Sequence, residues 1–212
     1  MKYWLWQQGC KMARISFTDD EIQEMIRVYN HGHSEWSNIR VATIKEKIKS
    51  EKIKRQGWFC CYCQKDIYNE YNLSLDIEHV IPKSKLKKHL FTTKNLSVAC
   101  KRCNMKIKKD DVSFLVIPLE SLPKRIFRSK YYRIIHPNLD NYTSHLIRDM
   151  RQSGRNIIVK YIVKNNSEKG LFTREYFKLS ELERASFNNA QGGTVREIEN
   201  PILMELFEKI SK

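Results

Sequence analysis

The polar and apolar positions change period along the chain. Between Thr18 and Gly32, Ile22, Met25, Ile26 and Tyr29 recur at helical spacing behind a Thr18-x-x-Glu21 capping box, which predicts a first helix. The same spacing predicts a second helix over residues 34–56. It turns Trp36, Ile39, Ile44 and Ile48 inward and Lys45, Lys49 and Lys52 outward onto a solvated face, and Gly57 stops it. From Trp58 to Asp111 the helical period gives way to short β-like runs, "LSLDIEHVI" and "NLSVAC". Beyond a Pro- and Arg-rich connector, "HPNLDNYTSHLIRDM" predicts a helix entry with Leu139, Tyr142 and Leu146 inward, and the alternating "NIIVKYIVK" predicts a strand. Ser180 with Glu183 forms another capping box. Asn200-Pro201 then opens an amphipathic helix carrying Ile202, Leu203, Leu206, Phe207 and Ile210, which serves as core or as a docking face.

These periods predict an α+β protein in three parts: a helical N-terminal segment over 1–57, a compact core over 58–111, and a mixed, mostly helical region over 112–212. At 212 residues the chain is long enough to bury a real core. Repeats and low-complexity tracts are absent. No apolar run approaches the ~20 residues of a spanning helix. The opening "MKYWLWQQGC" is too short for a signal segment, and "QQGC" is a poor lipoprotein cleavage site, so a cytoplasmic protein without a membrane partner is expected.

Charge narrows the class of partner. The formal net charge of +15 implies a polyanion, and nucleic acid is the commonest. The distribution says more: Lys83 to Lys109 holds ten Lys/Arg and no Asp or Glu, whereas Glu168 to Lys212 holds seven basic and eight acidic residues. Within the basic run Lys83, Lys101, Arg102, Lys106 and Lys108 are the candidates for phosphate contact, against the plainer reading of a solvated face.

Six cysteines in such a setting suggest metal ligation rather than disulfides. Cys60 and Cys63 form one C-x-x-C and Cys100 and Cys103 another, and two such pairs supply four thiolates for one tetrahedral Zn²⁺. Structural zinc contributes about 10–16 kcal/mol at neutral pH, enough to fold a segment poor in large apolar residues. Cys10 and Cys61 are left over; Cys61 can substitute for Cys60, but only the 60/63 pair has the usual spacing.

Candidate chemistry lies between and just beyond these pairs. Cutting a phosphodiester needs a deprotonated water, a cation on the non-bridging and leaving oxygens, and fixed geometry. His79, with an unperturbed pKa near 6.5, can take the proton. Glu78 offers a hard carboxylate oxygen and Asn104 an amide oxygen, a pair suited to Mg²⁺ or Mn²⁺ with positions open for phosphate and water. In a regular strand Glu78 and His79 point to opposite faces, so both address one phosphate only if the strand ends or bulges there, and Pro82 fits such an ending. On a following helix Asn104 and Lys108 share a face, which aims Lys108 at phosphate, with Lys106 as competitor. His136, Asp140 and His145 invite a second metal site, but the segment reads more easily as structure.

The stretches "IEHVIP" and "NLSVACKRCN" resemble the HNH nucleases of the ββα-metal fold, over about residues 58–111. His79, Asn95 and Asn104 fall in that family's order, framed by its optional zinc knuckles. The resemblance implies a small zinc-stabilised ββα-metal core, His79 as general base, Glu78 and Asn104 as ligands of a catalytic Mg²⁺ or Mn²⁺, and Asn95 orienting the base. Two departures stand out: the family often has Asp where Glu78 stands and His where Asn104 stands. Glutamate's extra methylene opens the alternative that Asp76 assists instead. The implied activity is endonucleolytic hydrolysis of DNA, with RNA left open. One site per chain cuts one strand, so a double-strand break implies a homodimer or two visits. The long extra segments resemble those of HNH nucleases in bacterial anti-phage systems, which implies an ATPase or other protein partner. The competing readings are a non-catalytic zinc-ribbon module that binds nucleic acid, and an interaction subunit docking on a larger machine.

Overall fold

The computed structural model describes residues 15–154 and 156–185. Helix α1 spans Asp19–His31 and starts at the expected capping box. The Thr18 hydroxyl accepts the Glu21 amide, the Glu21 carboxylate accepts the Thr18 amide, and Gly32 ends the helix at φ 122°. The single helix expected over 34–56 is shorter. Two 3₁₀ turns, His33–Ser37 and Ile39–Val41, precede α2 at Ala42–Arg55. Asn38 is the reason: it is extended, and its side chain accepts the Arg40 amide, offering the backbone an alternative to the helix. Ile39 is thereby turned outward and is 83 % exposed. Lys52, expected outside, is buried, because it continues the i, i+4 stripe of Ile44 and Ile48. Its ammonium satisfies itself on the Thr93 carbonyl at 2.6 Å and Asn138 Oδ1 at 2.8 Å, and burial lowers its pKa to about 7.

A five-residue antiparallel hairpin forms the centre. Strands β1 (Leu75–His79) and β2 (Leu96–Cys100) pair from Leu75↔Cys100 to His79↔Leu96. A short π-helix, Arg102–Lys108, follows β2. Ile77, Leu90 and Leu96 pack with Val28, Trp36, Val41, Ile44 and Ile48 into a small core, so the N-terminal helices close over one face of the hairpin. A larger core joins the cysteine segment to the C-terminal elements through Tyr62, Ile67, Val98, Phe114, Leu146 and Phe177.

Those C-terminal elements are a second sheet and one helix. Strands β3 (Leu146–Ser153) and β4 (Asn156–Val163) form a hairpin, β5 (Arg184–Ala185) adds to β4, and α3 covers Glu168–Tyr176. The "NIIVKYIVK" strand is thus β4. The helix entry expected at 136–146 is instead a set of turns leading into β3, because Asp140 closes back on the His136 amide at 2.8 Å and Asn141 is extended. Ser180 and Glu183 do not cap a helix: Glu183 sends its carboxylate to the Tyr161 amide and to Arg174. The helix expected after Asn200, and Cys10, lie outside the described residues. No helix among the described residues is long and apolar enough to cross a membrane. The architecture is α+β, with a small hairpin-and-helix core carrying the four cysteines.

Candidate active site

The sulfur atoms of Cys60, Cys63, Cys100 and Cys103 all lie within 4.8 Å of one another, and Cys63 and Cys100 are 3.8 Å apart. A tetrahedral zinc with Zn–S bonds of about 2.3 Å has sulfur–sulfur edges of about 3.8 Å, whereas a disulfide needs about 2.05 Å. The four thiols therefore fit a zinc ion and do not fit bridges. Cys61 is buried but outside the cluster, so the 60/63 spacing is the one used. Such an ion joins the first knuckle to the end of β2 and the start of the π-helix.

Beside this cluster opens a cleft of about 700 Å³. Its floor is β1, one wall is the π-helix and residues 109–110, and the opposite wall comes from Trp36, Lys45 and Lys49 of the N-terminal segment. Asp76, Glu78, His79 and Asn104 all line it. Strand β1 ends at His79, so Glu78 and His79 reach the same space despite their alternation.

His79 is 6 % exposed. Its Nε2 meets the Leu90 carbonyl at 3.0 Å. A carbonyl only accepts, so Nε2 carries the proton and Nδ1 is the bare nitrogen. The Trp36 ring packs edge-on against the imidazole at 4.7 Å. Burial, with the Lys83 and Lys108 charges adding to it, lowers the His79 pKa to about 4, so the ring is neutral at neutral pH. Asn95 is fully buried and does not touch the ring. Its Oδ1 accepts the Ile81 amide at 2.8 Å, its Nδ2 donates to the carbonyls of Ile81 and His89, and its own carbonyl accepts the Val80 amide. It closes the 80–95 loop that presents the Leu90 carbonyl.

Glu78, 2 % exposed, directs Oε1 at two donors, the Tyr62 hydroxyl at 2.9 Å and the Lys108 ammonium at 2.8 Å. Burial pushes the carboxyl up, and Lys108 and Tyr62 pull it back. Lys108 is 1 % exposed and also donates to the His79 carbonyl, so it does not face a phosphate. The π geometry explains the correction: the Lys109 amide bonds the Asn104 carbonyl, an i→i+5 step, so Lys109 rather than Lys108 stands over Asn104 at the cleft. Asn104 donates through Nδ2 to Asp76 Oδ2 at 2.9 Å, and Lys101 meets Asp76 Oδ1 at 2.6 Å.

Of the other basic candidates, Lys83 and Lys101 line the cleft. Lys106 is exposed but off it. Arg102 is spent on the carbonyls of Phe177 and Lys178 and on Glu181, which ties the π-helix to the C-terminal region. Sequence reasoning missed Trp36 and Lys109 as cleft residues and Tyr62 as the partner of Glu78. It took Lys45 and Lys49 for a solvated face. The aromatic inside a C-x-x-C was a visible signal for Tyr62; a π turn leaves none for Lys109.

Residues 60–110 match the family described as HNH endonuclease. No curated protein and no solved structure matches the chain. Residues 60–110 are thus similar to an HNH endonuclease domain, and Asp76, Glu78, His79 and Asn104 of the cleft lie within the matched stretch.

Proposed function

We propose that the protein is a divalent-cation-dependent endonuclease that hydrolyses phosphodiester bonds of DNA in this cleft, with His79 as general base. The observation that carries the reading is the convergence of His79, Glu78, Asp76 and Asn104 on one cleft rimmed by Lys83, Lys101 and Lys109. His79 has its Nε2 proton committed to Leu90, which leaves Nδ1 to accept a proton from water. Asn95 keeps that carbonyl in place by closing the loop. The cleft lysines hold phosphates without reading bases, so affinity exceeds sequence preference.

The donor set fits a hard cation. Glu78 Oε2, opposite the oxygen that Tyr62 and Lys108 occupy, and the Asn104 amide oxygen are the ligands, with Asp76 beside them. Among the described residues the four cysteines are the one cluster of three or more His, Cys, Asp or Glu donors able to hold a metal, so at the cleft the remaining ligand positions would fall to water and substrate. A bound Mg²⁺ or Mn²⁺ supplies Lewis-acid stabilisation of the leaving oxygen.

Incubation of the protein with supercoiled plasmid and Mg²⁺ or Mn²⁺, beside His79→Ala and an EDTA control, tests this. Nicking should require the metal and fall roughly 10²- to 10⁴-fold without the imidazole, while binding survives. Equal nicking by wild type and variant would remove His79 as the base and overturn this reading, and plasmid bound but never nicked would mean a binding module.

A further inference from the structure

Tyr62 sits inside the first knuckle, between Cys61 and Cys63, and is completely buried. Its hydroxyl and the Lys108 ammonium both bond Glu78 Oε1, at 2.9 and 2.8 Å. Turning the carboxylate about its axis breaks both bonds, and on the side of Tyr62 and Lys108, which are buried away from water, the lost partners are not replaced. The carboxylate therefore has one orientation, with Oε2 as its outward oxygen. Lys108 also bonds the His79 carbonyl at 3.0 Å, so one buried cation joins the carboxylate to the backbone of the base.

The knuckle that carries Tyr62 is held from the far side by residues outside the HNH match. The Tyr142 hydroxyl donates to the Tyr62 carbonyl at 2.9 Å, and the Tyr161 hydroxyl donates to the Cys63 carbonyl at 2.5 Å. The Phe177 ring stacks on the Tyr62 ring at 4.2 Å and 19°. Residues 142–177 thus brace the backbone at the tyrosine and just after it, and the face of its ring.

We propose that Tyr62 is a positioning residue for the cation-binding carboxylate, and that the C-terminal region acts through the zinc knuckle to hold it. The inference rests on the reading of Glu78 as a cation ligand. A tyrosine that only filled the core would be matched by phenylalanine; here the hydroxyl spends its proton on the oxygen beside the ligating one. Such partners of a ligand typically matter by about 10- to 100-fold in metal affinity.

The test is Mn²⁺ binding by titration calorimetry, without DNA, on the zinc-loaded full chain. Wild type should show a site that Glu78→Gln abolishes. Tyr62→Phe keeps the ring on Phe177 and should weaken that site about tenfold with zinc content unchanged. Should this variant lose zinc, Tyr142→Phe decides, since it removes only the bond to the Tyr62 carbonyl; a few-fold weakening is expected. Unchanged Mn²⁺ affinity in zinc-loaded Tyr62→Phe, or in Tyr142→Phe where that variant decides, overturns the positioning role and leaves the nuclease reading standing. A wild type with no site sensitive to Glu78→Gln overturns the reading of Glu78, and the inference with it.

Discussion

Around His79 and around His136 the fold gathers the same kinds of group, a buried imidazole, a carboxylate and an ammonium, yet His79 and Glu78 line the cleft and His136, Asp140 and Lys169 do not. At His136 the polar groups turn inward, although Nε2 is buried without a partner. Nδ1 accepts the Asn138 amide at 3.1 Å, Asp140 accepts the His136 amide and pairs with Lys169 at 2.8 Å, and Lys169 also reaches the carbonyls of Ser129 and Ile134. His145 is engaged by Ser167. His79 likewise has one nitrogen fixed and the other bare, but it lines the cleft, whereas the unpartnered Nε2 of His136 is sealed in the protein. Residue types in a short stretch therefore nominate a site, and access to solvent decides between a site and a brace.

The comparison can be broken at several points. Beneath both regions lies the cysteine cluster, and Cys103→Ser or chelation should have the largest effect. With structural zinc contributing about 10–16 kcal/mol and whole domains stable by only about 5–15 kcal/mol, the hairpin core should unfold, seen as lost zinc stoichiometry and a collapsed thermal transition. Next come paired substitutions. His79→Ala should cost about 3–5 kcal/mol in transition-state stabilisation, read at a temperature where the variant is fully folded. Asp140→Asn should do the reverse, losing about 2–3 kcal/mol of stability by leaving Lys169 unpaired while folded protein nicks plasmid normally. If Asp140→Asn slows nicking at a temperature where it is fully folded, the two regions are not separate.

A pH effect of intermediate size is common to both buried imidazoles and is easiest to isolate at His136. Burial lowers the His136 pKa to about 3, with Asp140 opposing and Lys169 and Lys52 assisting. Below pH about 6.5 the unfolded chain gains a proton that the folded chain refuses, so stability should fall as pH drops toward 3, by about 2 kcal/mol between pH 6.5 and 5. His136→Asn, which keeps an acceptor for the Asn138 amide, should remove that part of the slope in denaturant titrations at the two pH values. The smallest expected change is at the cleft rim. Lys109→Ala should reduce the log–log salt slope of DNA binding by about 0.9, one phosphate contact, and an unchanged slope would take Lys109 off the DNA path.

Legibility in the sequence followed the range of the forces involved. The Thr18 box, the paired cysteines and the two runs that became β1 and β2 are local signals, and each stands where the spacing put it. Lys52 was misread because a charge was taken as outward against its own helical stripe, and a buried lysine needs carbonyls from loops 41 and 86 residues away that no local pattern shows. Lys108 was misplaced because a 3.6-residue period was applied to an i→i+5 turn. The segment 136–146 kept its apolar positions at least partly covered, with Leu146 fully buried, but changed element. Its turn is closed by side-chain bonds that override periodicity.

The side that Trp36, Lys45 and Lys49 give the cleft bears on how the protein can be dissected. A fragment trimmed to the matched segment would keep its metal-binding thiols and its imidazole. It would also lay bare Leu90 and Leu96 and strip the cleft of Trp36, Lys45 and Lys49. Trimming experiments should therefore start upstream of residue 18, because the borders of the recognisable motif are narrower than those of the smallest piece able to work.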